Sequence, residues 1–262
     1  MTTYYESVTS PPGGTWISAT QVDFGARPGQ PAVVANILPD GVRRTMSATV
    51  HWDAANGVAD LGYDEAASAA GNSKFIFFYA VPTTGADSLL TIIASDNDPS
   101  VGPAGRTTFQ HVWTTYKDSS GNLLAVAQRS NVFSFIRARQ ALALSAATAD
   151  AVGVLSLTAF IPTTAAAVEL LLYYQSKGTR GKLLVWVNGE AGAGDIGDPS
   201  NENNTTWISF PASAANDFGT DSQHTLVPIR GGSLAVQYQP KSGCNVALVH
   251  VCGWVDASVP AN

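Results

Sequence analysis

The chain has 262 residues, a formal net charge of −6 at pH 7 and a pI near 5.0, with 45% hydrophobic and only 13% charged residues. That length predicts two domains of about 130 residues each. Because the charged share is about half the usual one, Ser, Thr, Asn, Gly and Ala must form most of the surface. The acidic balance argues against nucleic acid as a partner, since affinity for phosphate comes from Lys and Arg that displace counterions.

The first residues, MTTYYESVTSPPGG, have neither a positive n-region nor an apolar h-region, and the chain has no apolar run of 18 residues. We therefore expect neither a signal peptide nor a membrane-spanning helix. Cys244 and Cys252 are the only cysteines, eight residues apart in GCNVALVHVCGW, which alternates like a strand. Eight strand residues span about 26 Å, far beyond the reach of a disulfide. Two small, buried, free thiols are predicted.

The first half of the chain contains short apolar segments bounded by Gly, Pro, Asn or Asp, a pattern typical of β-strands. In chain order the strand candidates are PAVVANIL, TMSATVHW, KFIFFYAV, SLLTIIAS, TTFQHVWTTY, NLLAVAQ and NVFSFIRA. In TMSATVHW, the side chains of Met46, Ala48, Val50 and Trp52 share one face and polar side chains the other. The segments PDG and SSGN between the candidates have turn chemistry.

The second half continues this pattern with VLSLTAFI, AVELLLYYQ, KLLVWVN, TTWISF, HTLVPI, SLAVQYQ and NVALVHVCGW, and with the turn segment RGGS. In SLAVQYQ we expect Leu234, Val236 and Tyr238 to face inward. The Ala-rich stretches DEAASAAG and ALALSAATADAV stay open to a helical alternative, whereas TTAAAVELLLYYQSK is predicted as a strand from its position among strands, despite its helix-favouring residues. These elements predict an all-β chain of two antiparallel β-sandwich or jelly-roll modules in tandem.

Several segments match each other at a distance. VPTTGADSLL at 81–90 and IPTTAAAVEL at 161–170 share Pro-Thr-Thr, an Ala and a Leu in register. SSGNLLAVAQRSNVFSFI at 119–136 resembles RGGSLAVQYQPKSGCNVALVHV at 230–251, since each has a Gly turn, a strand, a polar turn and a final apolar strand. These matches are compatible with the duplication of one module.

A third match complicates that interpretation. TWISATQVDFG at 15–25 resembles TWISFPASAANDFG at 206–219, but it precedes the Pro-Thr-Thr segment in the first half and follows it in the second. Because simple tandem order is violated, duplication stays open. The prediction is two similar modules, residues 1–140 and 141–262, with the boundary near the Ala-rich stretch 139–152.

The second half also carries a family resemblance. TAFIPTTAAAVELLLYYQSK, KLLVWVNG, TTWISF and HTLVPIRGGSLAVQYQPKSGCNVALVHVCGWVD resemble the β-sandwich modules of bacterial surface proteins and phage fibres. Those modules run from a Val-Pro-x-x-Ala start, through a strand similar to LLVWVNG, to an apolar strand ending Gly-aromatic, here Gly253-Trp254. The Asn that usually follows the first strand is absent from this chain. The resemblance implies a structural or binding role, often in a trimeric or otherwise repeated assembly.

GAGDIG at 192–197 fits the G-x-G-x-x-G pattern of dinucleotide-binding proteins and follows the apolar strand LLVWVN. That fingerprint requires a helix whose N-terminus holds the pyrophosphate. The residues that follow here, DPSNENNTT, form turns and disfavour a helix. An ordinary loop is therefore predicted, since a Gly motif without a βαβ unit is weak support for nucleotide binding.

The same loop collects oxygen ligands in Asp195, Asp198, Asn201 and Glu202. Calcium takes six to eight oxygens from carboxylates, amides and carbonyls, so these residues are the candidate metal site. SDNDPS at 95–100 is a second loop of this kind. Neither has EF-hand spacing, and Asn and Asp also cap ordinary turns through their own backbone. No cofactor other than this calcium ion is predicted.

Candidate catalytic residues do not form a recognisable pattern. The histidines lie scattered in strand segments without the spacing of a zinc site, at positions His51, His111, His224 and His250. His250 and Cys252 are predicted to point to one face of a strand. All six tryptophans lie in or beside apolar strand segments, where core packing is their usual role. With no nucleophile elbow, catalytic Cys signature or glycosidase carboxylate motif, an enzyme is not predicted.

The leading hypothesis is a structural protein of a bacteriophage virion, on the particle exterior as a head decoration, fibre-base protein or tail appendage. It would be assembled in the host cytoplasm and act by self-association and docking to other virion proteins, with its terminal segments as clasps. A capsid shell protein with two jelly rolls is a variant of this hypothesis. The alternative is a carbohydrate-binding module that binds host surface glycan through exposed Trp or Tyr, with or without calcium. Nucleic acid and membrane are not expected partners.

Overall fold

The structure is a computed structural model. Within the residues that it describes, all helix or strand elements are β-strands, and no helix is present. The predicted all-β class with antiparallel sheets is confirmed. The more specific prediction of two jelly rolls in tandem stays a prediction. The described residues are 13–25, 34–46, 50–53, 72–83, 86–145, 152–177, 181–188, 205–210, 218–240 and 244–259.

The chain divides into two compact units, unit 1 with Met1–Ile136 and Ala257–Asn262, and unit 2 with Arg137–Asp256. The strands of unit 1 are β1 (Gly13–Trp16), β2 (Gln21–Gly25), β3 (Val34–Ile37), β4 (Arg43–Met46), β5 (Val50–Asp53), β6 (Lys74–Thr83), β7 (Ala86–Ser95), β8 (Gln110–Lys117) and β9 (Val126–Arg129). β10 (Val132–Ser145) begins in unit 1 and ends in unit 2. The boundary predicted from the sequence, after residue 140, lies in the same strand, and residues 257–262 were predicted to belong to the second module.

Unit 1 contains a three-stranded sheet of order β1-β2-β5 and a five-stranded sheet of order β3-β4-β7-β6-β8. Its pairings are antiparallel except for a short parallel contact of β4 with β7, where Thr45 lies opposite Leu89. Both turns predicted in this half are present. Gly41 in PDG and Gly121 in SSGN have φ angles of 78° and 88°, which a residue without a Cβ adopts without strain.

Aromatic rings join the two sheets of unit 1. Phe24 on β2 and Trp52 on β5 contact Phe78 on β6, with ring centroids 5.2 and 4.8 Å apart. Trp113 on β8 lies 5.1 Å from the same ring. All four side chains are fully buried. Phe78 is therefore the central contact of this core.

The other face of β6 is covered as well. Phe77, Tyr79 and Val81 form a buried cluster with Ile93 of β7, and Phe109 packs against it. Sheets buried on both faces have strands that are apolar throughout, because both sets of alternating side chains must leave water. The nearly continuous apolar sequence KFIFFYAV of β6 satisfies this requirement within unit 1.

Unit 2 contains β11 (Gly153–Ser156), β12 (Ala165–Lys177), β13 (Gly181–Val187), β14 (Thr205–Phe210), β15 (Phe218–Pro228), β16 (Ala235–Pro240) and β17 (Cys244–Asp256). One sheet has the order β15-β12-β17-β10, and the other β11-β16-β13-β14. Strands of the two sheets lie against each other, as in a β-sandwich. Residues 132–135 of β10 pair with β9.

Most ambiguous segments of the sequence are strands. TTAAAVELLLYYQSK contains β12, as predicted, and residues 141–145 of ALALSAATADAV belong to β10 rather than to a helix. DEAASAAG at 64–71 lies outside the described residues. Cys244 and Cys252 both lie on β17, and the Cys252 thiol is free.

The internal matches have different structural contexts. Pro82 lies at the end of β6, next to the hairpin that leads into β7, whereas Pro162 lies in a turn before β12. Residues 45–52, predicted as one strand, contribute to two strands, β4 and β5, with 47–49 outside the described residues. Met46 and Trp52 are buried as expected. The structure describes only part of the terminal segments that were predicted to act as clasps, because residues 1–12 and 260–262 lie outside the described residues.

Candidate interaction surface

β12 is an internal strand of the sheet β15-β12-β17-β10 in unit 2, and it has one covered and one open side. Leu170, Leu172 and Tyr174 are buried between the sheets. Because strand side chains alternate, Glu169 and Tyr173 project to the opposite side, where they are only half-buried. We refer to that side of β12, β15 and β17 as the open face.

The pairing register identifies the members of the open face. Leu171 lies directly opposite His224 of β15 and His250 of β17, so these three side chains share a side of the sheet. A register shift between Glu169 and Leu170 leaves Cys252 as an extra residue on β17, a β-bulge. The side chains of the open face used below are Glu169, Leu171, Tyr173, His224, Leu226, Leu248, His250 and Cys252.

Polar groups on the open face interact across strands. The Glu169 Oε1 and His224 Nδ1 atoms are 3.4 Å apart, with side chains 35% and 60% exposed. Burial raises the pKa of the Cys252 thiol, and the Glu169 charge raises it further. A raised pKa keeps this thiol protonated at neutral pH, so it is a weak nucleophile. His250 Nε2 is buried without a hydrogen-bond partner within the described part of the chain.

His250 and Cys252 therefore share one side of β17, as predicted. Among the described residues, no group of three or more His, Cys, Asp or Glu side chains is arranged to hold a metal ion. The predicted calcium ligands Asp195, Asp198, Asn201 and Glu202 lie outside the described residues, and so does the G-x-G-x-x-G motif. The calcium site stays a prediction.

The second Asx-rich loop, at 95–100, is described. Asp98 Oδ1 accepts hydrogen bonds from the Ser100 backbone N–H, at 2.9 Å, and from its hydroxyl, at 2.5 Å. Asp96 Oδ2 pairs with Lys74 Nζ at 2.9 Å. The Asp98 carboxylate stabilises a turn, which is an ordinary role of Asx residues in loops, and the Asp96 carboxylate forms a surface ion pair.

His111 is buried in unit 1, where both ring nitrogens form hydrogen bonds. Nε2 lies 3.0 Å from the Trp113 carbonyl and 2.7 Å from the Thr114 hydroxyl, and Nδ1 lies 2.6 Å from the Ser258 hydroxyl. A carbonyl only accepts, so Nε2 carries the proton and Nδ1 accepts from Ser258. The adjacent Val259 is almost fully buried. This histidine fastens the segment after β17 to unit 1.

The tryptophans whose side chains are described are buried or half-buried, as expected for residues that pack in a core. Trp52, Trp113 and Trp254 are fully buried, and Trp186 is 3% exposed. Trp16 is half-buried and donates from Nε1 to the Leu123 carbonyl at 3.2 Å. These rings give no flat aromatic platform of the kind that sugar-binding sites use.

The open face was not predicted from the sequence. Its signal is present in β12, where VELLLYY has large apolar residues at both odd and even positions. Such a strand is expected to be covered on both sides. The structure covers the Leu170 side within unit 2 and leaves Leu171 and Tyr173 half-exposed.

Comparisons with known proteins do not identify the chain. No family model and no curated protein matches it. A solved structure, the insecticidal delta-endotoxin Cry8Ea1 from Bacillus thuringiensis, is similar over 97% of this chain and 52% of that one, with 9% identity and a TM-score of 0.24. The chain thus spans about half the length of that toxin chain, and a likeness at this TM-score supports no conclusion. None of the described residues forms a helix that could span a membrane.

Proposed function

We propose that this chain is a structural protein of a bacteriophage particle, on its exterior, and that it acts by self-association and by docking to neighbouring subunits. The observation that carries the proposal is the open face of unit 2. Leu226 is 56% exposed there, and Leu171, Tyr173 and Leu248 are half-buried beside it. Apolar side chains clustered on a sheet face are typical of interaction sites.

The chemistry of the described residues also favours association over catalysis. The Cys252 thiol is held protonated, and the His111 imidazole is buried and used in structural hydrogen bonds. Neither has the arrangement of an activated nucleophile with an accessible base. A surface role is the simpler interpretation of these groups.

The assignment to a phage particle rests on two sequence observations. The second half resembles β-sandwich modules of phage fibres and bacterial surface proteins, and the net charge is −6. An acidic protein suits the outside of a particle, because surfaces that face packaged DNA carry basic residues. We place the protein in the virion on this basis.

The experiment that tests the proposal is the solution mass of the purified chain, measured by light scattering across a range of concentrations, with and without calcium. We expect a stable oligomer. A chain that stays monomeric at every concentration would contradict self-association. A mass that changes with calcium would point to the loop that contains Asp195 and Asp198.

One observation favours the alternative of a carbohydrate-binding module. Tyr173 is a half-exposed aromatic residue on the open face, two positions from Leu171 and on the same strand as Glu169. Aromatic rings beside polar groups on a sheet face can bind sugars. A glycan array, with and without calcium, should then give hits that Tyr173→Ala abolishes, and an array without hits would exclude this alternative.

A further inference from the structure

We infer that two copies of this chain pair through unit 2, with the open face of one copy against the open face of the other. The inference rests on the proposed function, because it names the partner and the surface of self-association. Three observations carry it: the apolar pattern of β12, the size of the face and its distribution of charge.

The first observation is that β12 is apolar on both sides but covered on one. Val168 and Leu170 are fully buried on the covered side. Leu171 and Tyr173 on the other side are of similar size and remain half-exposed. Full burial of one such side chain contributes about 1.5–3 kcal/mol, so a partner that covers this side gains substantial free energy.

The second observation is the size of the face. β12 and β15 pair over eleven residues, from Ala167 opposite Pro228 to Lys177 opposite Phe218. Three strands of that length form a patch about 36 Å by 14 Å, on the order of 500 Å². A standard stable interface buries about 800 Å² per partner. The sheet face alone thus supplies more than half of the area that a specific dimer needs.

The third observation is that the face carries a carboxylate and two imidazoles on neighbouring strands. Glu169 Oε1 on β12 lies 3.4 Å from His224 Nδ1 on β15, and His250 on β17 lies opposite Leu171, two residues further along β12. In a two-fold interface the same patch meets itself, so a face of one sign would repel its copy. Here the carboxylate of one copy can meet an imidazole of the other. Such self-complementarity favours a second copy over a partner of strongly acidic or basic surface.

The test introduces a charge into the face and a matched charge elsewhere. Leu226→Asp changes a side chain that is 56% exposed, and the control Val101→Asp changes one in unit 1 that is 68% exposed. Both side chains are more than half exposed, so neither variant buries a charge in the monomer. We expect Leu226→Asp to halve the solution mass of the wild-type assembly, and Val101→Asp to leave it unchanged.

The outcomes separate this inference from the proposed function. An oligomeric wild type whose mass is unchanged by Leu226→Asp would overturn the face-to-face pairing and leave self-association standing. A wild type that is monomeric at every concentration would overturn both. Loss of mass in Val101→Asp as well would also overturn the pairing, because the effect would then not depend on the face.

A second measurement covers the case in which Leu226→Asp fails to fold, as judged by circular dichroism. In a Cys244→Ser chain, the alkylation rate of Cys252 is followed at low and at high protein concentration. Face-to-face pairing buries Cys252, so we expect alkylation to slow in proportion to the fraction of assembled chains. A rate that does not change with assembly would place the interface elsewhere.

Discussion

β6 in unit 1 and β12 in unit 2 are both internal strands with apolar side chains at odd and even positions, but only β6 is covered on both faces. Phe77 and Phe78 point to opposite sides of β6 and are both buried. On β12, Leu170 is fully buried and Leu171 is half-exposed. An apolar strand therefore predicts that both of its faces will be buried, but it does not predict which residues or which chain will bury them. In unit 1 the chain supplies the cover itself.

The largest loss of stability is expected from a substitution in the core of unit 1, and it tests the difference between β6 and the open face. Phe78→Ala removes a fully buried ring with three aromatic neighbours, and we expect a loss of about 3–5 kcal/mol in the free energy of unfolding. Leu248→Ala on the open face is the matched variant, with an expected loss of about 1 kcal/mol, because its side chain keeps part of its contact with water in the monomer. Urea unfolding at low protein concentration measures both. Equal losses would mean that the open face is already covered in the monomer.

A smaller effect is expected where the segment after β17 is fastened to unit 1. Ser258→Ala removes the hydroxyl that donates to His111 Nδ1, and a hydrogen bond of this kind contributes about 1 kcal/mol to stability. Ser119→Ala, at an exposed turn position, is the control and should change the unfolding midpoint little. If both variants unfold alike, the Ser258 contact does not stabilise unit 1.

The next prediction concerns chemistry on the open face. The pKa of the Cys252 thiol is raised first by burial and second by Glu169. Glu169→Gln removes the negative charge that disfavours the thiolate, so alkylation of Cys252 should become faster by a modest factor, since burial is retained. The rate is measured with iodoacetamide at mildly alkaline pH in a Cys244→Ser background. An unchanged or slower rate would contradict the electrostatic contribution.

The last prediction concerns the ion pair in unit 1 between the buried Arg44 and the partly exposed Asp40. Arg44, which forms a two-point contact with both carboxylate oxygens of Asp40, lowers the pKa of that carboxyl from 3.8 to about 2, helped by the Val42 backbone N–H. Because the pKa is lowered in the folded state, the stabilisation is present above 3.8 and is lost as the pH falls to about 2. The melting temperatures of the wild type and Asp40→Asn should therefore converge over that range. A constant difference would show that the carboxylate charge does not matter.

Much of the fold follows from local pattern. The turns at Gly41 and Gly121 could be located because a positive φ angle is a property of a few neighbouring residues, and β12 could be predicted as a strand from its position among other strands. The separation of β4 from β5 was missed, because residues 45–52 alternate like one strand. The open face was missed for a different reason. The residues that bury a strand face are distant from that strand in the sequence, and the pattern of side chains along the strand does not indicate which residues these are.

The sequence by itself determined that this protein is built of antiparallel strands, that β12 is a strand despite its Ala and Leu content, and that Trp52 and Trp113 lie in a core. Short apolar segments bounded by turn residues, the position of β12 among them and the desolvation of large rings are sufficient for those conclusions. Only the tertiary structure decided that the units divide inside β10, that Ser258 returns to His111, and that Cys252 lies in a bulge beside Glu169. Those features depend on pairing register and long-range packing, which join residues that no local pattern relates.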